Sequence, residues 1–123
     1  MKLLRIYTDT AGQSHCDEID WSLTETELFP PSPAGYLVGE GLAAKEVRLV
    51  RTPAGYRDEW HTVPDRVLAV LLSGRLRVET GNGDSHILEA GQSFLFQDNQ
   101  GRGHRMAELE GQAYDLALVM LQP

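Results

Sequence analysis

The sequence predicts an all-β domain, a sandwich or a barrel, and three observations carry that prediction. Short apolar or alternating runs recur at close spacing along the chain. No helical period of about 3.6 persists over a window of about 11 residues. Glycine and proline, at 12 and 6 of 123 residues, separate the runs with turn-forming positions.

Each element follows in order. Residues 3–8 are rich in aliphatic and aromatic side chains and open the chain as a strand. Residues 19–28 fit a strand or a short helix. Pro30, Pro31 and Pro33 fix φ and remove donors, so residues 30–33 form an extended loop. Residues 46–51 and 56–61 read as strands. Val67, Leu68, Ala69, Val70, Leu71 and Leu72 form an apolar run short enough for a strand covered on both faces. Ser73 and Gly74 turn it. Residues 75–80 alternate polar and apolar, as a half-buried strand does. Gly81, Asn82 and Gly83 tolerate positive φ and close a hairpin onto residues 85–90, which carry His86. Residues 93–97 return after Gly91 and Gln92, and residues 97–103 form a polar loop. Residues 104–109 and 113–121 make a final pair around Glu110 and Gly111. Eight or more short strands at this spacing build a sandwich or barrel.

Length and charge bound the function. A chain of 123 residues fits one domain over residues 1–123. It divides into N-terminal strands and loop at residues 1–45 and a core at residues 46–123. Eighteen acidic against 11 basic side chains give a formal charge of −7. Nucleic acid and anionic membranes both select clustered Lys and Arg, so neither is expected as a partner. No apolar run approaches the roughly 18 residues of a membrane span. The start of the chain lacks the pattern of a secretory signal, and a cytoplasmic location is the default expectation. The single cysteine, Cys16, precludes an intrachain disulfide and a cysteine-built metal site.

Chemistry then falls to histidine, of which there are four: His15, His61, His86 and His104. Side chains alternate along a strand, so Glu59, His61 and Val63 are expected on one face, and His104, Met106 and Glu108 on another. Gly55 precedes His61 by five intervening residues, and Gly74 follows a buried strand. This spacing resembles the first motif of the cupin superfamily, which runs G, five residues, H-x-H, three or four residues, E, six residues, G. The aligned positions are Gly55, His61, Val63, Val67 and Gly74. Every interval fits, but Val63 and Val67 stand where the family has metal ligands. Gly101, Arg102, Gly103 and His104 resemble the end of the second cupin motif, with Asn99 at its proline and Glu108 at its asparagine.

Further segments resemble a group of small single-domain bacterial cupins: Tyr7 to His15, then Trp60, His61, Pro64 and Arg66, then Asp98, Gly101, Gly103 and His104. The resemblance implies a cupin-type jelly-roll β-barrel that brings His61 and His104 together inside it. A chain this short with a long N-terminal segment is expected to bury sheet edges in a homodimer, the commonest oligomer.

Two imidazoles with Glu59 or Glu108 nearby suit acid–base chemistry on a small molecule, since histidine titrates near neutral pH. The expected function is that of a lyase, isomerase or cyclase, with His61 as base, His104 as its partner, and Glu59 or Glu108 orienting one of them. Arg66, Tyr56, Val63, Val67 and Met106 are expected to contact substrate. Arg66 pairing with Asp65 or Asp58 on the rim is the alternative. Trp60 is expected in packing, and Tyr36 at the mouth. Two further readings stand beside this one. The barrel binds or senses a ligand without turnover, or it is a metal-dependent dioxygenase. In the last case His61 and His104, with a carboxylate, hold one divalent ion; the cofactor expectation is thus none or one such metal.

Overall fold

The computed structural model describes residues 1–123, which form eleven strands and no helix. The strands are β1 (Lys2–Thr8), β2 (Ser14–Asp20), β3 (Leu23–Thr26), β4 (Tyr36–Gly39), β5 (Ala44–Thr52) and β6 (Val67–Ser73). They continue as β7 (Arg75–Thr80), β8 (Ser85–Glu89), β9 (Ser93–Gln97), β10 (His104–Glu108) and β11 (Tyr114–Leu121). A six-stranded sheet has the order β2-β1-β9-β6-β11-β5 and a three-stranded sheet the order β10-β7-β8; β3 and β4 pair as a separate flap.

Alternation in the strands builds the core. Val67, Ala69 and Leu71 of β6 and Leu76 and Val78 of β7 are buried. They meet Ile6, Leu88, Phe94, Phe96, Tyr114 and Leu116 in one cluster that also holds Val63. At about 1.5–3 kcal/mol for each large apolar side chain buried, this cluster is the main source of stability. The apolar run of β6 is buried on its core face, but its other face is only partly covered, and Leu72 is 52% exposed. Leu68 and Val70 point away from the core and line a groove of about 500 Å3 under the flap, with Leu3, Trp21, Leu23, Val38 and Leu95.

Two further expectations change. Residues 56–61 do not form a strand; they cross the small sheet irregularly, with backbone bridges only at Arg57↔Ala107 and His61↔His104. Residues 19–28 contain no helix: they end β2 and form β3. The N-terminal segment adds to the core, because β1 runs parallel to β9 inside the large sheet and places Ile6 in the buried cluster. Parallel pairing of the first strand with a strand some 90 residues later leaves no local signature.

Ser14 helps to close one side of the barrel, together with the bond from the Gln13 side chain to the Gly81 carbonyl. The Ser14 hydroxyl donates to the Gly103 carbonyl (2.7 Å) and accepts from the Gly81 amide (2.6 Å), tying edge strand β2 to the turn after β7. No helix is long and apolar enough to cross a membrane.

Candidate functional site

His61 and His104 come together because their backbones pair. The His61 amide donates to the His104 carbonyl (3.0 Å) and the His104 amide to the His61 carbonyl (2.9 Å). Gly103 makes that approach possible. Its φ is +78°, a region side chains rarely adopt, and a Cβ there would strike the His61 carbonyl. The imidazole centroids lie 4.5 Å apart with the planes tilted by 59°. Phe96 stacks on His104 at 4.4 Å, so that ring is held between Phe96 and His61.

The two rings have opposite surroundings. His104 is sealed, and its Nδ1–H donates to Asp98 Oδ2 over 2.6 Å, with both side chains at or below 1% exposure. The Asp98 carbonyl accepts from the Val63 amide, fixing the loop that carries the carboxylate. Asp98 Oδ1 is buried without a partner. The His61 side chain is 42% exposed. Its Nδ1–H donates to the Glu59 carbonyl (2.7 Å) and lies 3.5 Å from Asp58 Oδ1. A carbonyl only accepts, so that bond places the proton on Nδ1 and, in the neutral ring, the lone pair on Nε2.

His61 opens onto a cavity of about 330 Å3 lined by Val50, Arg51, Thr52, Pro53, Tyr56, Asp58, Met106, Tyr114, Leu116 and Leu118. Asp58, Tyr56 and Met106 also line a wider, more charged cleft of about 530 Å3 with Arg57, Glu59, Glu79, Arg105 and Glu108. Asp58 is fixed by accepting the Met106 amide on Oδ2 (3.0 Å). Burial pushes the Tyr114 hydroxyl pKa up, against a smaller opposing effect of its hydrogen bond with Thr52.

The expected residues divide accordingly. His61, Tyr56 and Met106 line the cavity. Glu108 shares the inward face of β10 with His104 and Met106, as alternation predicts, and its Oε2 is buried without a partner. Glu59 does not share a face with His61. Without a strand at residues 56–61, the carboxylate beside His61 is Asp58, while Glu59 is exposed and contributes its carbonyl. Val63 and Val67 belong to the core and do not line the cavity. Arg66 lies outside both cavities, and Asp65 pairs with Lys45 (2.9 Å) instead. Tyr36 lies in the flap, lining the groove on the outer face of the large sheet. Trp60 packs between two guanidinium groups, Arg102 at 3.9 Å and Arg105 at 5.2 Å from its ring.

Asp58, Asp98 and Tyr114 were not among the expected site residues. Asp98 opens the loop segment that ends in His104, and a carboxylate six residues before a buried histidine was the available signal. Tyr114 comes from a distant strand and left none.

The donor set does not fit a divalent metal. Such sites need about three protein ligands around an open position. No three His, Cys, Asp or Glu side chains gather for that purpose here. The second and third family positions are core valines, which carry no donor atom.

No protein-family profile matches the chain, and no curated protein does. Among solved structures, the chain is similar to the cupin domain of Schizosaccharomyces pombe Cnp3. The two share 12% identity and a TM-score of 0.50, over 89% of this chain and 73% of that one. At that identity the likeness concerns the fold. With two facing sheets around one core and no helix, the chain has a cupin-type jelly-roll fold.

Proposed function

We propose that the chain binds a small, largely apolar organic molecule in the cavity beside His61 and moves a proton on it. One observation carries this reading. Aliphatic and aromatic walls from Val50, Tyr56, Met106, Tyr114, Leu116 and Leu118 enclose a few polar groups, His61 and Asp58 with Arg51 and Thr52. Apolar walls with a few converging polar groups are the usual form of a small-molecule site.

His61 acts as the base. Its Nδ1–H is held by the Glu59 carbonyl, so Nε2 is the atom that takes a proton. Asp58, 3.5 Å from Nδ1, stabilises the imidazolium that results. His104 acts through His61 rather than on substrate, because it is sealed against Phe96 and held by Asp98. This suits an isomerase, lyase or cyclase that abstracts a proton next to a carbonyl.

The second reading, binding without turnover, is favoured by that same burial: with His104 withdrawn, one imidazole is left to serve as both acid and base.

The test uses a panel of small enolisable ketones and acids in D2O, followed by proton NMR. The expected result is binding that shifts the Tyr56, His61, Met106 and Tyr114 resonances, with exchange of the α-proton that His61→Ala abolishes. Binding at those residues without exchange establishes the second reading. Binding that leaves those resonances unmoved refutes the site.

A further inference from the structure

We propose that Glu108 sets the ligand class of this same site: its carboxylate accepts a hydrogen bond from an ammonium group, so the ligand is an amphipathic primary amine. This rests on the cavity beside His61 being a small-molecule site, and adds which molecules enter it. Glu108 lies on the inward face of β10, two residues beyond Met106, and pairs in register with the fully buried Leu76. Its Oε2 is buried and has no hydrogen-bond partner. Leaving a charged oxygen desolvated and unpaired is costly, and such atoms in folded proteins answer to a ligand, an ion or a water. Neither imidazole supplies the missing donor: the Nδ1–H of His61 goes to the Glu59 carbonyl and that of His104 to Asp98. The orienting role expected for Glu108 is therefore replaced by one toward the ligand.

The apolar cavity and the charged cleft adjoin at Tyr56, Asp58 and Met106, which line both, and Glu108 lines the cleft. The Tyr114 hydroxyl in the cavity wall feels the charge of both Asp58 and Glu108. Charge in the cleft selects a cation. Glu79 is taken by Arg105 through two hydrogen bonds, of 3.0 and 2.6 Å. Asp58, Glu59 and Glu108 then stand against one guanidinium, Arg57. Asp58 is engaged, accepting the Met106 amide on Oδ2 and the Glu59 amide on Oδ1. Glu59 is exposed to water. Glu108 alone of the three keeps a buried acceptor without a donor. A hydrogen bond from ammonium to carboxylate is about twice as strong as a neutral one. The last torsion of a glutamate is broad, so a small rotation turns Oε2 toward a donor in the cleft. Reach sets the length of the ligand. His61 bridges His104, which lies four residues along β10 from Glu108. At about 3.3 Å per residue, roughly 13 Å of strand separates them, so several carbons lie between the amine and the end that meets His61.

Hexylammonium, hexanol and hexanoate share one tail and differ in the head, and NMR titration with each reads both affinity and place. Hexylammonium is expected to bind about tenfold or more tighter than hexanol, the gain from one hydrogen bond to a charged group, and hexanoate more weakly than either. Binding is expected to shift the Tyr56, Met106 and Tyr114 resonances. Glu108→Gln keeps the shape of the side chain and is expected to remove the preference for the amine while hexanol binds as before. Glu59→Gln removes a solvated charge from the same cleft and is expected to change hexylammonium affinity by less than about threefold. Circular dichroism confirms that each variant is folded. Equal binding of hexylammonium and hexanol at those residues overturns the role of Glu108 and leaves the small-molecule site standing. An equal loss in the two variants also overturns it, by assigning the preference to the general field of the cleft. No shift at those residues with any of the three probes overturns the small-molecule site itself, and the role of Glu108 with it.

Discussion

His104 and His61 face each other across 4.5 Å, yet one belongs to the core and the other to the solvent-facing cavity. His104 is buried with its carboxylate partner supplied; His61 is 42% exposed and held through a backbone carbonyl. The difference separates two environments that share one bridge. The buried ring fixes geometry, since moving it would strand Asp98 and open a gap against Phe96. The exposed ring is free to meet a ligand, since its one firm bond leaves Nε2 available.

The strongest way to break this arrangement is Gly103→Ala, which forces a Cβ against the His61 carbonyl in a left-handed backbone. A loss of about 3 kcal/mol or more is expected in urea unfolding, and both rings are displaced together. A loss below about 1 kcal/mol would mean that the two segments separate easily.

Asp98→Ala comes next. It leaves a buried imidazole without its partner, and breaking a buried pair of this kind costs about 3 kcal/mol. His61→Ala sharpens the contrast, with an expected stability change within about 0.5 kcal/mol, as at an exposed position, and loss of ligand binding. Equal destabilisation by the two variants would remove the distinction between a structural and a functional histidine.

Smaller effects concern the cavity wall and the strand behind it. The Tyr114 hydroxyl is held above the usual tyrosine value by burial, so Tyr114→Phe is expected to remove a component of the ultraviolet tyrosine titration that lies above that value. No change there would mean that Tyr114 titrates like a solvated phenol.

On the surface, the Arg51 guanidinium hydrogen-bonds Asp115 and holds its carboxyl below the usual value of 3.8. A lowered folded-state pKa contributes stability that is present above the unfolded value and is lost as pH falls through the folded one. Arg51→Ala is expected to remove that small acid-range contribution. The urea midpoints of the two proteins should therefore differ slightly at about pH 5 and converge near pH 2. A difference that persists at low pH would place the effect of Arg51 in packing rather than charge.

How far the site was legible depended on regularity. Alternation in β10 gave the shared face of His104, Met106 and Glu108, because a regular strand repeats every second residue. The same rule applied to residues 56–61 gave Glu59 where the structure has Asp58, because that segment bridges the sheet at two points and does not alternate. Val63 and Val67 were legible as departures from a ligand pattern, but their place in the core depended on which strands lay behind them. The Asp98–His104 bond lay within one short loop; the contribution of Tyr114 required β11 to sit beside β5 and β6.

The sequence by itself determined an all-β chain of short strands, the turns between them, and two histidines at motif spacing. Those properties rest on local rules: side-chain alternation, glycine conformations and proline breaks. Only the tertiary structure decided that β1 runs parallel to β9, that Asp58 and Asp98 serve different histidines, and that β5 is left as an open edge. Each of these depends on which distant strands become neighbours, and that is set by burial of the whole core rather than by any one segment.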